Sequence, residues 1–248
     1  MAEPKIAVIT PYYQEPLAML RHCHESVRGQ GDNVTHFMIA DGHAKPEIDE
    51  WQACHVRLPS SHGDNGNTPR GVGSLLAQNE GFDYIAYLDA DNWYHEGHIA
   101  SLVDHIRSTK AHVATSFRTF HGVDDAELAV TERAEERLKH VDTSCLFLSK
   151  EAFPVTTIWA LMPKALSPMC DRVFLGALKH GRYVISSTRQ KTVAFRTQYI
   201  YHYEMAGVPV PDNAKTGNEF EPALKYLKSN QGIAETVRLL GFWPLHYF

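Results

Sequence analysis

The segment Tyr84-Ile85-Ala86-Tyr87-Leu88-Asp89-Ala90-Asp91-Asn92-Trp93 constrains this chain more than any other. An apolar run of this kind reads as a buried strand, and it ends abruptly in two carboxylates one residue apart. Carboxylates have no place inside such a strand, so they belong at its end, facing a cleft. Like charges held together there are costly unless a cation shares them. On an extended chain the i, i+2 spacing turns both the same way, toward one divalent ion, or toward an ion and a ligand hydroxyl. Hard oxygen donors suit Mg²⁺ or Mn²⁺ rather than zinc. Those ions keep waters and accept phosphate oxygens, so a nucleoside diphosphate is the natural third party. The competing reading is a turn and helix cap, where Asp and Asn are also favoured.

Bulk properties narrow the classes. The 248 residues carry a formal net charge of −5 with 15 His left neutral, which argues against a general nucleic-acid binder. Cys23, Cys54, Cys145 and Cys170 form no Cys-x-x-Cys pair, so reduced thiols in the cytoplasm fit better than zinc or a disulfide framework. The N-terminus lacks a basic region followed by an apolar stretch, and no apolar run nears the ~20 residues of a transmembrane helix. The aromatic C-terminus, Gly241-Phe242-Trp243-Pro244-Leu245-His246-Tyr247-Phe248, reads as packing on the fold or on a partner chain. That leaves room for a homo-oligomer, and for peripheral contact with the inner face of a membrane.

Strands are expected at residues 5–10, 36–40, 54–58, 84–88 and 112–120, with helices at 15–29, 48–53, 69–82 and 96–108 between them. This alternation predicts an α/β fold with a mainly parallel sheet covered on both faces. Beyond residue 120 the pattern changes: a charged helical stretch at 124–139, strands at 143–148, 183–186 and 192–195, a helix at 170–180, and a loop at 207–221 that could close over a ligand. In parallel sheets ligands bind beyond the carboxyl ends of the strands. Thr10-Pro11-Tyr12, Asp41-Gly42 and Asp89-Ala90-Asp91 all lie at such ends. No Gly-x-Gly-x-x-Gly follows the first strand and no Gly-Lys-Ser/Thr occurs, which disfavours a dinucleotide cofactor and a P-loop.

These residues together resemble the family 2 inverting glycosyltransferases of GT-A fold, a Rossmann-like nucleotide-binding sheet with a smaller acceptor-side layer. Val8-Ile9-Thr10-Pro11-Tyr12-Tyr13-Gln14-Glu15 is similar to the family's Val-Ile-Pro-x-Tyr-Asn-x-Glu. Met38-Ile39-Ala40-Asp41-Gly42-His43 is similar to its Val-Asp-Asp-Gly-Ser, and Leu88-Asp89-Ala90-Asp91-Asn92 to its Leu-Asp-x-Asp-Asp. Arg70 falls where the family has an Arg before an Asn-x-Gly helix, here Asn79-Glu80-Gly81, and Pro168-Met169-Cys170-Asp171 falls where it carries a lone Asp. Ala40, Gln14, His43 and Asn92 depart from the pattern.

The resemblance implies a nucleotide-sugar-binding half at residues 1–120 and an acceptor-binding half at 121–248 of one domain. Pro11, Tyr12 and Tyr13 would line the nucleoside pocket and Asp41 would accept from base or ribose. Arg70 would face the diphosphate, and Asp89 with Ala90 the ribose or metal. Asp91 would hold Mn²⁺ or Mg²⁺, with His202 as a late metal ligand, and Asp171 would be the general base. The donor would be a UDP sugar and the acceptor a hydroxyl of a carbohydrate or glycolipid. No Gln-x-x-Arg-Trp is present, which favours addition of a single sugar. The alternatives are a nucleotidyltransferase, although residues 10–16 lack its Gly-rich basic loop, and a non-catalytic sugar-nucleotide-binding module.

Overall fold

The computed structural model of the chain describes residues 3–131 and 135–248. Strand β1 (Ile6–Tyr12) is buried along its whole length, as an apolar strand inside a parallel sheet must be. Helix α1 (Leu17–Arg28) buries Leu20, Cys23 and Val27 at helical spacing and leads to β2 (Val34–Asp41). After a 3₁₀ turn at Pro46–Glu50 come β3 (Ala53–Leu58), α2 (Asn67–Asn79), β4 (Tyr84–Tyr87), β5 (Trp93–Tyr94) and α3 (His98–Thr109). The second half contains β6 (Val113–His121), β7 (Glu127–Leu128), β8 (Leu146–Ser149), α4 (Thr157–Leu161), α5 (Cys170–His180) and β9 (Ile185–Arg196). Helices α6 (Ile200–Ala206), α7 (Glu221–Lys228) and α8 (Asn230–Leu240) close the chain.

The strands form one sheet in the order β3-β2-β1-β4-β8-β6-β9-β5, with β7 on β6. Pairing is parallel from β3 to β4 and again between β6 and β9, and antiparallel where β8 joins the two groups. β1 is flanked by β2 on one side and by β4, much later in sequence, on the other. Chain order therefore reverses at β1/β4, and the crevice beyond their carboxyl ends is the place such a sheet binds ligands. It is framed by Thr10–Tyr13 and Asp89–Asp91.

Close packing at that position depends on Gly73 of α2. A Cβ there would lie 2.7 Å from Ile9 Cγ2 of β1 and 3.3 Å from Ile39 Cγ1 of β2. Gly73→Val should therefore destabilise the fold by about 1–3 kcal/mol, the usual cost of overpacking a rigid core. Urea unfolding would measure it, and an unchanged midpoint would show that α2 stands off the sheet.

Five expected elements turn out differently. No helix runs over 124–139 among the described residues: Asp125 has φ 66°, β7 pairs with β6, and residues 132–134 lie outside the described part. The acids of this stretch that would support a helix by i, i+4 pairing serve tertiary ion pairs instead, Asp125 with Arg196 and Glu135 with Arg118. The two short strands at 183–186 and 192–195 are one strand, β9, which follows β6 across a register shift near Phe117. The strand at 143–148 begins as a 3₁₀ turn, because Asp142 Oδ1 caps it by accepting from Ser144 N at 2.9 Å. The helix at 48–53 is only the 3₁₀ turn. The C-terminal aromatics pack on the fold: His180 stacks on Phe242 and bonds the Tyr247 hydroxyl at 2.9 Å, and Trp243 Nε1 donates to Leu227 O. Among the described residues no helix is long and apolar enough to cross a membrane.

Candidate active site at the strand ends

Two cavities meet at the carboxyl ends of β1 and β4. The first encloses about 500 Å³ and is lined by Pro11, Tyr12, Tyr13, Asp41, Asp64 and Ala90, among others. Tyr12 is a buried wall of it: its hydroxyl bonds His55 Nε2 at 2.6 Å and accepts from Lys45 N at 3.0 Å. Tyr13 is 42% exposed and meets His43 edge-on, so of the two rings it is the one open to a ligand. Asp41 is buried beneath the loop at 60–63. Its carboxylate accepts from His62 N and from Ser61 Oγ, and its Oδ1 bonds His62 Nδ1 at 2.7 Å. Burial pushes its pKa up, but the His62 bonds outweigh that and hold it below the ordinary value. The loop reaches Asp41 because residue 42 is glycine: its φ is +80°, and a Cβ there would lie 2.4 Å from Ser61 N. Asp64, unremarked in the sequence, spends Oδ2 on Thr68 at the start of α2 and leaves Oδ1 buried without a partner.

Both cavities share Asn65, Arg70, Asp89 and Asp91. Leu88 N still bonds Ile9 O, and then Asp89 to Asn92 close a tight turn through Asn92 N to Asp89 O at 3.0 Å. Asn92 fixes that turn with both ends of its amide, donating to Ser144 Oγ and accepting from Arg196 N, each at 3.0 Å. An aspartate there could not donate, which gives this departure from the family pattern a structural reason. Arg70, buried in the first turn of α2 over the Trp159 ring, holds Asp89 Oδ1 at 2.5 Å and Asn65 O at 2.7 Å. Its Nε is buried without a partner. Burial raises the pKa of Asp89 despite Arg70, and raises that of Asp91 to about 7, helped by the charges of Asp89 and Asp142.

The second cavity lies on the other side of Asp91. Asp171, at the start of α5, bonds His140 Nε2 through Oδ2 at 2.5 Å, and its Oδ1 accepts from Arg172 N at 2.6 Å. Burial favours the neutral acid, but the His140 charge and hydrogen bond prevail, so Asp171 sits below its ordinary pKa and His140 above its own. Arg118 is buried between Glu135 and Asp142, and Arg196 pairs with Asp125 while its Nη1 is buried without a partner. His202 is buried too. Its Nδ1 bonds Thr197 Oγ1 at 2.6 Å, its Nε2 has no partner, and burial lowers its pKa to about 3, so the ring is neutral. Sequence reasoning missed His140, Asn65, Asp142, Arg118 and Arg196. Among fifteen His, one is not distinctive, and these positions share no motif with Asp89 or Asp171.

The donor set is one a hard cation accepts. Asp91 is a carboxylate strained by its neighbours, and the neutral His202 has an unpartnered Nε2 while its Nδ1 is held by Thr197; a metal-binding imidazole is likewise oriented through its other ring nitrogen. Among the described residues no three His, Cys, Asp or Glu side chains form a ready-made cation cage. Mg²⁺ and Mn²⁺ do not require one, since water and substrate phosphates complete their shells.

A sheet with its crevice at a strand-order reversal, lined by an acidic turn and a buried arginine, is an α/β fold that binds a ligand at its strand ends. Residues 7–170, about two thirds of the chain, match the model of glycosyl transferase family 2, and the chain belongs to that family. No curated protein matches it in sequence. Among solved structures it is similar in fold to Staphylococcus aureus TarS. The TarS 1-349 structure in complex with UDP superposes with a TM-score of 0.61 at 11% identity, over 95% of this chain and 69% of that one. TarS 1-349 with UDP-GlcNAc gives 0.58 at 13%, over 95% and 70%. The longer TarS structure gives 0.58 at 13%, over 95% of this chain and 42% of its own.

Proposed function

We propose that this glycosyltransferase moves one sugar from a UDP sugar to a hydroxyl of a carbohydrate or glycolipid, with inversion and with Mn²⁺ or Mg²⁺. The observation that carries this reading is the pair of cavities meeting at Arg70, Asp89 and Asp91, with Asp171 on one side only. A nucleoside fits the first cavity, against Tyr13 and Pro11, near Asp41 and the free Oδ1 of Asp64. Its diphosphate falls at the junction, where Arg70 is a charged fork suited to phosphate oxygens. The fold shared with TarS, a protein solved with UDP and with UDP-GlcNAc, supports uridine as the base.

Asp91 and His202 would hold the cation, beside Asp89 and Ala90. When bound, the metal offsets negative charge on the departing diphosphate. Asp171 faces the sugar from the second cavity and takes the proton of the acceptor hydroxyl as it attacks the anomeric carbon, opposite the leaving group. His140 and the Arg172 amide fix the carboxylate's orientation. Residues 1–120 thus act as the donor half and 121–248 as the acceptor half. The same arrangement argues against nucleotidyl transfer, which has no use for a base across the diphosphate from the nucleoside.

Calorimetric titration of UDP into the protein tests the donor site. Binding is expected with Mn²⁺ present and should be lost in EDTA. Equal binding in both would remove the metal from the reading, and no binding with any metal would remove UDP.

A further inference from the structure

Most cations of the second cavity have a carboxylate of their own: Arg70 with Asp89, Arg118 with Glu135 and Asp142, His140 with Asp171, and Arg196 with Asp125. Arg172 and Lys215 line the same cavity, and among the described residues neither has a carboxylate within ion-pair distance. Arg172 acts on Asp171 without pairing with it, so in a chain with net charge −5 this cleft gathers two cations whose donors are open to an external anion.

Both are held in place. The Arg172 guanidinium lies 5.5 Å from the centre of the Phe220 ring, and the Lys215 ammonium 6.0 Å from that of Tyr199. The two rings are nearly parallel, 6.4 Å apart at 21°. Lys215 is pinned through its backbone, its N donating to Gln198 O at 2.6 Å and its O accepting from Ile200 N at 2.9 Å. Arg172, Phe220, Tyr199 and Lys215 thus form a ladder of two stacked aromatic rings with a cation at each end, drawn from three separate stretches of chain. None of the four lines the nucleoside cavity, and Arg172 adjoins Asp171, so the ladder belongs to the acceptor side.

Aromatic faces offer a sugar ring an apolar surface, with a few polar groups setting orientation. Unpaired guanidinium and ammonium groups make charge-assisted bonds to phosphate or carboxylate oxygens. A neutral acceptor would leave both cations unmatched in the bound state, whereas an anionic one complements them. Arg196 lines the same cavity and has a buried Nη1 without a partner. We propose that the acceptor is an anionic glycan, bearing phosphate or carboxylate, that lies along Arg172, Phe220, Tyr199 and Lys215 with its reacting hydroxyl at Asp171. This rests on the reading of Asp171 as the acceptor-side base.

The test uses the full chain loaded with UDP and Mn²⁺, without donor sugar, on immobilised oligosaccharides in matched neutral, uronate-bearing and phosphodiester-bearing sets. Both anionic arms, or one of them, should bind about tenfold more tightly than the neutral set at low salt, and the difference should shrink at about 0.5 M salt. Which arm responds identifies the anion. Lys215→Glu, at an exposed position, and Arg172→Gln should each lower anionic binding by about tenfold, with UDP calorimetry as the check that the donor site is folded. Equal binding to all sets, a neutral preference, absence of binding to every anionic member, or no effect of either substitution would each overturn the proposal. If Asp171→Asn still transfers at the wild-type rate while the anionic preference stands, the base assignment fails instead.

Discussion

Asp171→Asn should reduce transfer by about 10²–10⁴-fold, the usual contribution of a positioned general base, while UDP affinity stays within about twofold because the residue does not line the nucleoside cavity. Asparagine keeps the shape and the acceptor oxygen for the Arg172 amide, so the loss isolates proton transfer. The competing explanation of Asp171 is a helix N-terminal acid favoured by the macrodipole; removing an acid of that kind would cost stability and leave the rate per folded molecule alone. Wild-type turnover in the variant would sink the base assignment. His140 supplies a second, independent readout. It holds Asp171 below its ordinary pKa of 3.8 and is itself raised above 6.5. His140→Asn should therefore move the acid limb of kcat/KM to higher pH, since the freed carboxylate protonates more easily. The stability effect has its own window. The depressed Asp171 stabilises the fold above its unfolded pKa and loses that as pH falls. The raised His140 stabilises below its unfolded pKa and loses that as pH rises. The pair therefore counts most between about pH 4 and 6.5, and His140→Asn should lower Tm more at pH 5.5 than at pH 8.5.

Much of the first half of the fold could be read from the chain because it obeys local rules. β1, β2 and β4 are short apolar runs that stop at Tyr12, Asp41 and Tyr87, and the residues that follow must face solvent or ligand. Pro11, Tyr12, Tyr13, Asp41, Arg70, Asp89, Ala90 and Asp91 accordingly surround one cavity. The second cavity was less legible, since its contacts span long sequence separations. His140 meets Asp171 and Arg196 N meets the Asn92 side chain across elements with no shared periodicity. The charged stretch after residue 123 shows the reason: its acids look like helix-surface charges in sequence, yet Asp125 and Glu135 exist to neutralise Arg196 and Arg118. Tertiary pairing overrode a local pattern, which no window of single-residue propensities detects. Asp41 shows a subtler limit. Its position at a strand end was evident, but its engagement by His62 depends on a loop twenty residues on, which Gly42 alone admits.

Asp91→Asn should have opposite effects on the free and the loaded protein. In the free protein Asp91 ionises near pH 7 rather than 3.8, because burial and the charges of Asp89 and Asp142 penalise its carboxylate. A carboxylate whose folded pKa is raised costs nothing below its unfolded pKa. Its cost grows as pH rises to the folded value and is complete above it. Asparagine removes that cost, so the metal-free variant should melt several degrees higher than wild type at pH 8 and at the same temperature near pH 4. Adding Mn²⁺ and UDP should reverse the order. Wild type gains about 2.7 kcal/mol when ligand stands at 100 times its Kd, whereas the variant, lacking the anionic ligand, gains little and loses turnover. Metal affinity of the wild type should also rise about tenfold per pH unit below pH 7, since a proton must leave Asp91 before a cation takes its place. Equal stabilisation of both proteins by Mn²⁺ and UDP would place the cation elsewhere, and an unchanged free-protein Tm at pH 8 would show that Asp91 is already well solvated. A side chain that weakens the empty fold and strengthens the loaded one is retained for what it binds. That inversion separates a metal ligand from a turn-forming aspartate, whose removal would weaken both states alike.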